Sequence, residues 1–543
     1  MTTNLLARIN PAAGVVVTLA AFLITACSAA GVQAPTATTG PVSSTATPSP
    51  SATLAPPAPT ATPIPPTSTP TATLTPSFTS TSAPPSPTAS PTATDTPAPA
   101  TSPPTAAAQA SAKPKISVSE TTITLPTYPI WDYLVEQVDP LYNLPVFYFN
   151  RPEFEAAAPT PAPVEYEVVV LENGYLRLTF LPELGGRLYS AVFKPTGQEI
   201  FYHNPVVKPS RYGGLQPPEA NWWLATGGME WAYPTQEHGY RWGAPWSYRV
   251  EQVDERAAIV LSDIAPGRVG AEVEVILPAN SAAFTVRPRL VNGTAQTVPV
   301  QFWLNAALTL DAPTMSPYTR FIVPTDRVVV HSRGAEGWAV PDAGETSPWP
   351  QVDLLDLSDY SQWTNYLGFF VPNLKAPFVA AYNPETDLGV VRLIEPGAVP
   401  GNKLFAFGPT FPDRSYTDDD SQYFELWGGV NTGFWADSDL ALPAGAAVQW
   451  QESWWPLAGL GGVTWANQNV AIHLAESALS LLAARPQQGK VTVMAGQSSI
   501  LNQSFSAEPA SPLRWQLDLP EGPVRVKVVD RNDELLLDYC QDC

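Results

Sequence analysis

The chain has 543 residues, too many for one compact domain, so two or more units are expected. Charged residues make up 14 %, prolines number 62 and tryptophans 17, and the formal net charge is −21. That acidic balance argues against nucleic acid, whose phosphates demand Lys and Arg, and suits neutral ligands such as sugars.

At the N-terminus, Arg8 supplies positive charge and "GVVVTLAAFLITAC" follows. This apolar run has signal-peptide length and is too short for a stable span. Its end, Leu23 to Cys27, resembles the bacterial lipobox, which implies that Cys27 is diacylated and becomes the mature N-terminus. The alternative is a plain secretory signal with an incidental cysteine. Residues 1–27 are therefore expected to be a lipoprotein signal peptide, with acyl chains on Cys27 anchoring the protein to the membrane at the bacterial cell surface.

Residues 28–115 are almost all Pro, Thr, Ser and Ala. Such a segment has too few large apolar side chains to offset the entropy of ordering and is expected to form a disordered stalk. Stiffened toward polyproline II, roughly 80 residues would reach on the order of 200 Å. Beyond Cys27 the cysteines are Cys540 and Cys543, in the terminal "YCQDC". In an exported protein this pair suits a small-loop disulfide, and with no second pair or nearby histidines it gives little reason to expect zinc.

From Ile116 the pattern turns to strands. "ISVSETTITL", "VEYEVVVLENGYLRLTFLP", "AAIVLSDI" and "GAEVEVILP" alternate apolar and polar residues between Gly, Pro, Asn and Asp. Asn173-Gly174 between two such runs predicts a hairpin. Residues 116–465 are thus expected to form one large antiparallel β-sandwich. Residues 466–543 are expected to form an accessory β-sandwich, with "AIHLAESALSLLAARP" open to either helix or strand.

The run "VVLENGYLRLTFLPELGGRLYSAVFKPTGQEIFYHNPVVKP" resembles the opening of the galactose mutarotase-like superfamily. More closely it resembles an uncharacterised bacterial domain-of-unknown-function family within it, whose members are often fused to tetratricopeptide repeats. "GGMEWAYP", "FWLNAAL", "GNKLFAFG", "YFELWGG" and "ESWWPLAGLGG" continue the likeness in order, over about residues 120–470. The resemblance implies an all-β supersandwich and a carbohydrate ligand. The stretch 227–246, "GGMEWAYPTQEHGYRWGAPW", also resembles mutarotases of hexose 6-phosphates, although its arginine, Arg241, sits one residue early.

Mutarotation needs a base at the anomeric hydroxyl and an acid at the ring oxygen. The superfamily uses a Glu and a His, and Glu425 in "YFELWGG" matches the place of that Glu. The place of the His is held by Asn305 in "FWLNAAL"; an amide hydrogen-bonds a sugar hydroxyl but does not act as a general acid. His238 is the candidate to replace it. Glu230 is a second carboxylate, and facing Glu425 across a cleft it would suit glycoside hydrolysis. Arg187 offers a planar fork to hydroxyls or a carboxylate, or forms a rim salt bridge. Lys403 either contacts ligand or ends a turn, and Trp231, Trp303 and Trp427 either stack on sugar or fill the core.

Asp418, Asp419 and Asp420 form an acidic loop without the spacing of a calcium-binding hand. No resident metal or cofactor is expected, and no Walker loop, G-x-S-x-G or H-E-x-x-H motif is present. Three function classes stay open. They are a glycan-binding module, a carbohydrate-active enzyme (an aldose epimerase, glycoside hydrolase or lyase), and a structural envelope protein with a vestigial cleft.

Overall fold

The computed structural model describes residues 115–211, 217–334, 338–395, 397–409, 411 and 416–543. The expected signal peptide, Cys27 and all but the last residue of the stalk lie outside the described residues. Two large sheets dominate, of fourteen and nine strands among the described residues. Their facing sides share one apolar core, to which Leu304, Ala306, Leu404 and Leu426 come from the larger sheet and Val273, Val275, Val390 and Trp454 from the smaller. Each such side chain contributes about 1.5–3 kcal/mol when fully buried. This is the large β-sandwich that the alternating runs predict, in the all-β supersandwich form that the resemblance implies.

The predicted hairpin is present. Strands Ala162–Glu172 and Leu176–Leu181 pair antiparallel. Asn173 between them accepts from the backbone N–H of Tyr175 and Leu176, both at 2.7 Å, and its amide donates to Pro278 and Ser281 carbonyls. The side chain thus closes the turn and ties it to the second sheet.

Three neighbouring strands of the larger sheet, Met229–Ala232, Trp303–Leu308 and Phe424–Gly429, are buried at every residue. Successive side chains point to opposite faces, so such strands need cover on both. One face meets the inter-sheet core, and the other carries the polar and aromatic residues described below.

The ambiguous C-terminal run is a pair of strands, Val470–Ala475 and Ala478–Ala483. Leu479 and Leu481 face a local core, while Leu482 and Ala484 pack on Phe378, Tyr382 and Trp455. A strand covered on both faces loses polar alternation, and with Ala and Leu it reads like helix. Residues Trp465–Gln541 make two four-stranded sheets and fall in the same compact unit as the supersandwich. Cys540 and Cys543 are joined as a disulfide.

Candidate functional site

The site occupies the face of the larger sheet turned away from the inter-sheet core. Register builds it directly: Glu230 lies opposite Asn305, Asn305 opposite Trp427, and Trp427 opposite Lys403. At about 4.8 Å between strands, four chemically distinct side chains form one row.

The glycine pair makes the row possible. Gly227 and Gly228 hold φ of 89° and 73°, where a side chain is strained. A Cβ on Gly227 would lie 2.2 Å from the Tyr202 carbonyl oxygen, and one on Gly228 2.6 Å from that of Leu188. The chain therefore comes close enough for Gly227 to accept from Arg187 Nη1 at 3.0 Å. Arg187 is fully buried rather than at a rim; it also donates to the Leu184 and Trp242 carbonyls, with Nη2 3.7 Å from Glu230 Oε2. It clamps three segments and lends positive charge to Glu230.

Burial alone would raise the Glu230 carboxyl, but His238, Arg187 and Asn305 outweigh it and hold the group below the ordinary carboxylate value. Oε1 accepts from His238 Nδ1 at 2.5 Å and from Asn305 Nδ2 at 3.4 Å. Glu230 Oε2 and Asn305 Oδ1 are buried with no hydrogen bond. Both residues line a hollow of about 10 Å³, together with Arg187, Tyr202, Trp223, Tyr423 and Glu425. That space holds about one water or one hydroxyl.

Beside it opens a cavity of about 230 Å³, sharing Glu425 and Trp223 with the hollow and lined further by Glu237, His238, His331, Lys403, Trp427 and Phe434. Its His238 ring stacks on Trp223, with centroids 4.1 Å apart and planes within 3°. Glu425 Oε2 accepts from the Trp427 indole at 2.8 Å and stands 3.9 Å from Lys403 Nζ. That ammonium lies 4.3 Å from the Trp427 ring centroid and 5.2 Å from that of Phe434, a cation–π arrangement strengthened by desolvation. Burial lowers Lys403 to about 8, against the pull of Glu425 and Glu237. The cavity thus offers a carboxylate, an ammonium, an imidazole oriented by a second carboxylate, and aromatic walls.

The structure brings Glu230, His238, Asn305, Lys403, Glu425 and Trp427 together, with Arg187 beneath them. Two expected contacts are corrected. Trp231 follows Glu230, so alternation turns it into the inter-sheet core, where its indole donates to Gly186 at 2.9 Å. Trp303 shares the site's face but packs against Phe370 and Phe434, donates to Gln301, and does not line the cavity. Arg241 is also absent from the site; with Arg268 and Tyr233 it binds the buried Asp263 carboxylate. In the acidic loop, Asp418 accepts from Lys208 and Tyr128, and Asp419 from Ser421.

Sequence reasoning missed His331, Glu237 and Trp223. His331, in strand Arg327–Arg333, lies 3.6 Å from Glu237 through Nε2, and its Nδ1 is buried without a partner. A histidine directly after three consecutive valines, in a chain with four histidines, was the available signal. Glu237 adopts φ 53°, uncommon for a residue with a side chain. Among the described residues no group of three or more His, Cys, Asp or Glu is placed to hold a metal ion.

The family described as "Domain of unknown function (DUF5107)" matches residues 142–457. Among solved structures, the chain is similar to a TPR-domain containing protein from Parabacteroides distasonis at 21 % identity and a TM-score of 0.50. The likeness covers 63 % of this chain and 55 % of that one, so this chain spans little more than half of its length. It is also similar to a putative aldose 1-epimerase from Klebsiella pneumoniae at 13 % identity and TM-score 0.38, covering 63 % of this chain and 92 % of that one. A galactose mutarotase related enzyme from Lactobacillus acidophilus matches at 13 % identity and TM-score 0.35, over 54 % and 98 %. With more than half of its residues matched, the chain belongs to the DUF5107 family.

Proposed function

We propose, from that membership and the site's chemistry, that the protein binds carbohydrate in the cavity beside Glu425, His238 and Trp427. One observation carries the reading: two buried acceptors, Glu230 Oε2 and Asn305 Oδ1, lack hydrogen bonds in the small hollow that adjoins an aromatic-walled cavity through Glu425 and Trp223. An unsatisfied buried acceptor costs about 1–3 kcal/mol, which a ligand hydroxyl removes. A ring with apolar C–H faces and several hydroxyls suits both the walls and the floor. The volume suits one sugar ring rather than a chain.

The protein is proposed to work at the bacterial cell surface, held by lipid on Cys27 at the end of a Pro/Thr/Ser stalk. Support comes from the N-terminal sequence. Incorporation of an alkyne-tagged palmitate that disappears in Cys27→Ser checks it; unchanged labelling would refute it.

A glycan array probed with the detergent-solubilised chain tests the binding. Signals that weaken in Asn305→Ala and Glu425→Gln are expected; a blank array would leave the envelope-structural reading. A second reading, a carbohydrate-active enzyme, is favoured by Glu230 and Glu425 lining the same hollow. There Glu425 acts as base with His238 as acid, or the two carboxylates act as a pair. Sugar release or anomer interconversion lost in Glu425→Gln, with binding retained, would mark the enzyme.

A further inference from the structure

Trp435 is 41 % exposed, unlike most of the tryptophans near the cavity. It follows Phe434, which lines the cavity, and its ring sits 5.1 Å from Phe370 and 6.2 Å from His331 by centroids. Phe370 meets it at 62° and His331 at 59°. Both neighbours therefore brace the ring without stacking on it. His331 is shared by this rim and the cavity wall, and its buried Nδ1 has no hydrogen bond. A braced, half-exposed indole beside a residue of the cavity wall presents an apolar platform next to the cavity. Side-chain bracing lowers the entropy cost of using such a ring for binding.

We infer that Trp435 and His331 form a second sugar subsite at the mouth, so that the ligand is the end of an oligosaccharide: its terminal ring enters the cavity and its second ring stacks on Trp435. The inference rests on the carbohydrate reading of the cavity. Size supports it, since about 230 Å³ lies below the usual range for drug-sized ligands and suits a single ring. The His331 ring, with Nε2 3.6 Å from Glu237, forms the wall between the cavity and Trp435. No covalent step is involved.

The test is calorimetric titration of the full chain in detergent. The probes are D-glucose, D-galactose, D-mannose and N-acetyl-D-glucosamine, each with its α- and β-linked disaccharides. For the sugar that binds, a disaccharide is expected to bind about tenfold more tightly than the monosaccharide, the scale of one aromatic stacking contact. Trp435→Ala should remove that gain and leave monosaccharide affinity unchanged, and Trp435→Phe should restore most of it. A disaccharide no tighter than its monosaccharide would overturn the subsite. So would Trp435→Ala weakening both alike, which would make Trp435 a support for the cavity wall. A chain that takes up no monosaccharide and no disaccharide refutes the carbohydrate reading itself, and the subsite with it.

Discussion

Two buried charge clusters face opposite sides of the larger sheet, and they are finished to different degrees. In the core, Arg392 reaches from the smaller sheet and donates to Glu452 at 2.7 and 3.0 Å, to Asn402 and to the Trp427 carbonyl. Glu452 accepts in addition from the Trp454 and Trp450 indoles. Both of its oxygens and all three guanidinium nitrogens are engaged. At the site, Glu230 and Asn305 are buried just as deeply, yet each leaves an oxygen unused. Burial alone therefore does not distinguish the two clusters; hydrogen bonding, complete in one and incomplete in the other, does.

Breaking the finished cluster should cost most. Glu452→Ala leaves the Arg392 guanidinium buried and unpaired, and is expected to lower stability by about 3–5 kcal/mol in urea unfolding. A loss near zero would erase the contrast between the two clusters.

Lys403→Met is expected to act in the opposite direction. The folded state lowers Lys403 to about 8 from 10.5, so between those values the unfolded chain binds more protons and stability rises with pH. Below pH 8 the full penalty applies. The substitution should remove the slope between pH 8 and 10.5 and stabilise the protein at pH 7 by on the order of 3 kcal/mol, as read from urea midpoints at pH 7 and 10. Sugar binding should weaken in the same variant.

Asn305→Ala sharpens the comparison further. Its carboxamide makes one long hydrogen bond at 3.4 Å, so stability should change by less than about 1 kcal/mol, while monosaccharide affinity in calorimetry falls about tenfold. A large loss of stability with unchanged affinity would make Asn305 a structural residue.

The smallest effect concerns acid. Glu230 is held below its ordinary value of 4.5, so the stability it contributes is present above that pH and lost as pH falls through the folded value. Glu230→Gln should flatten the acid limb of a stability profile below pH 4.5 and leave its neutral limb parallel to that of the parent.

Much of the sheet architecture was legible because alternation is a direct consequence of strand geometry. The Asn173-Gly174 turn and the all-β class followed from it. The run at 470–483 was not, since cover on both faces removes the polar half of the pattern. For the site, Glu230, His238, Asn305, Lys403, Glu425 and Trp427 stand in motifs with unusual residue mixtures, and the structure gathers them. Trp231 and Trp303 look the same in sequence, and only the pleat, for Trp231, and packing against Phe370, for Trp303, separates them from Trp427. His331 escaped because its partner Glu237 is nearly a hundred residues away, and sequence spacing carries no record of such a meeting.

The strand Trp303–Leu308 has one further consequence. Its odd positions carry the site and its even positions the core, so the strand stores two messages in interleaved letters. Inserting a single residue ahead of Asn305 would exchange them, sending the carboxamide into hydrocarbon and an apolar side chain to the site's face. A two-residue insertion would keep the reading frame of both messages and displace each by one step. Single-residue insertions are therefore disfavoured in this segment, and within it the site can be altered by substitution at the odd positions without disturbing the core.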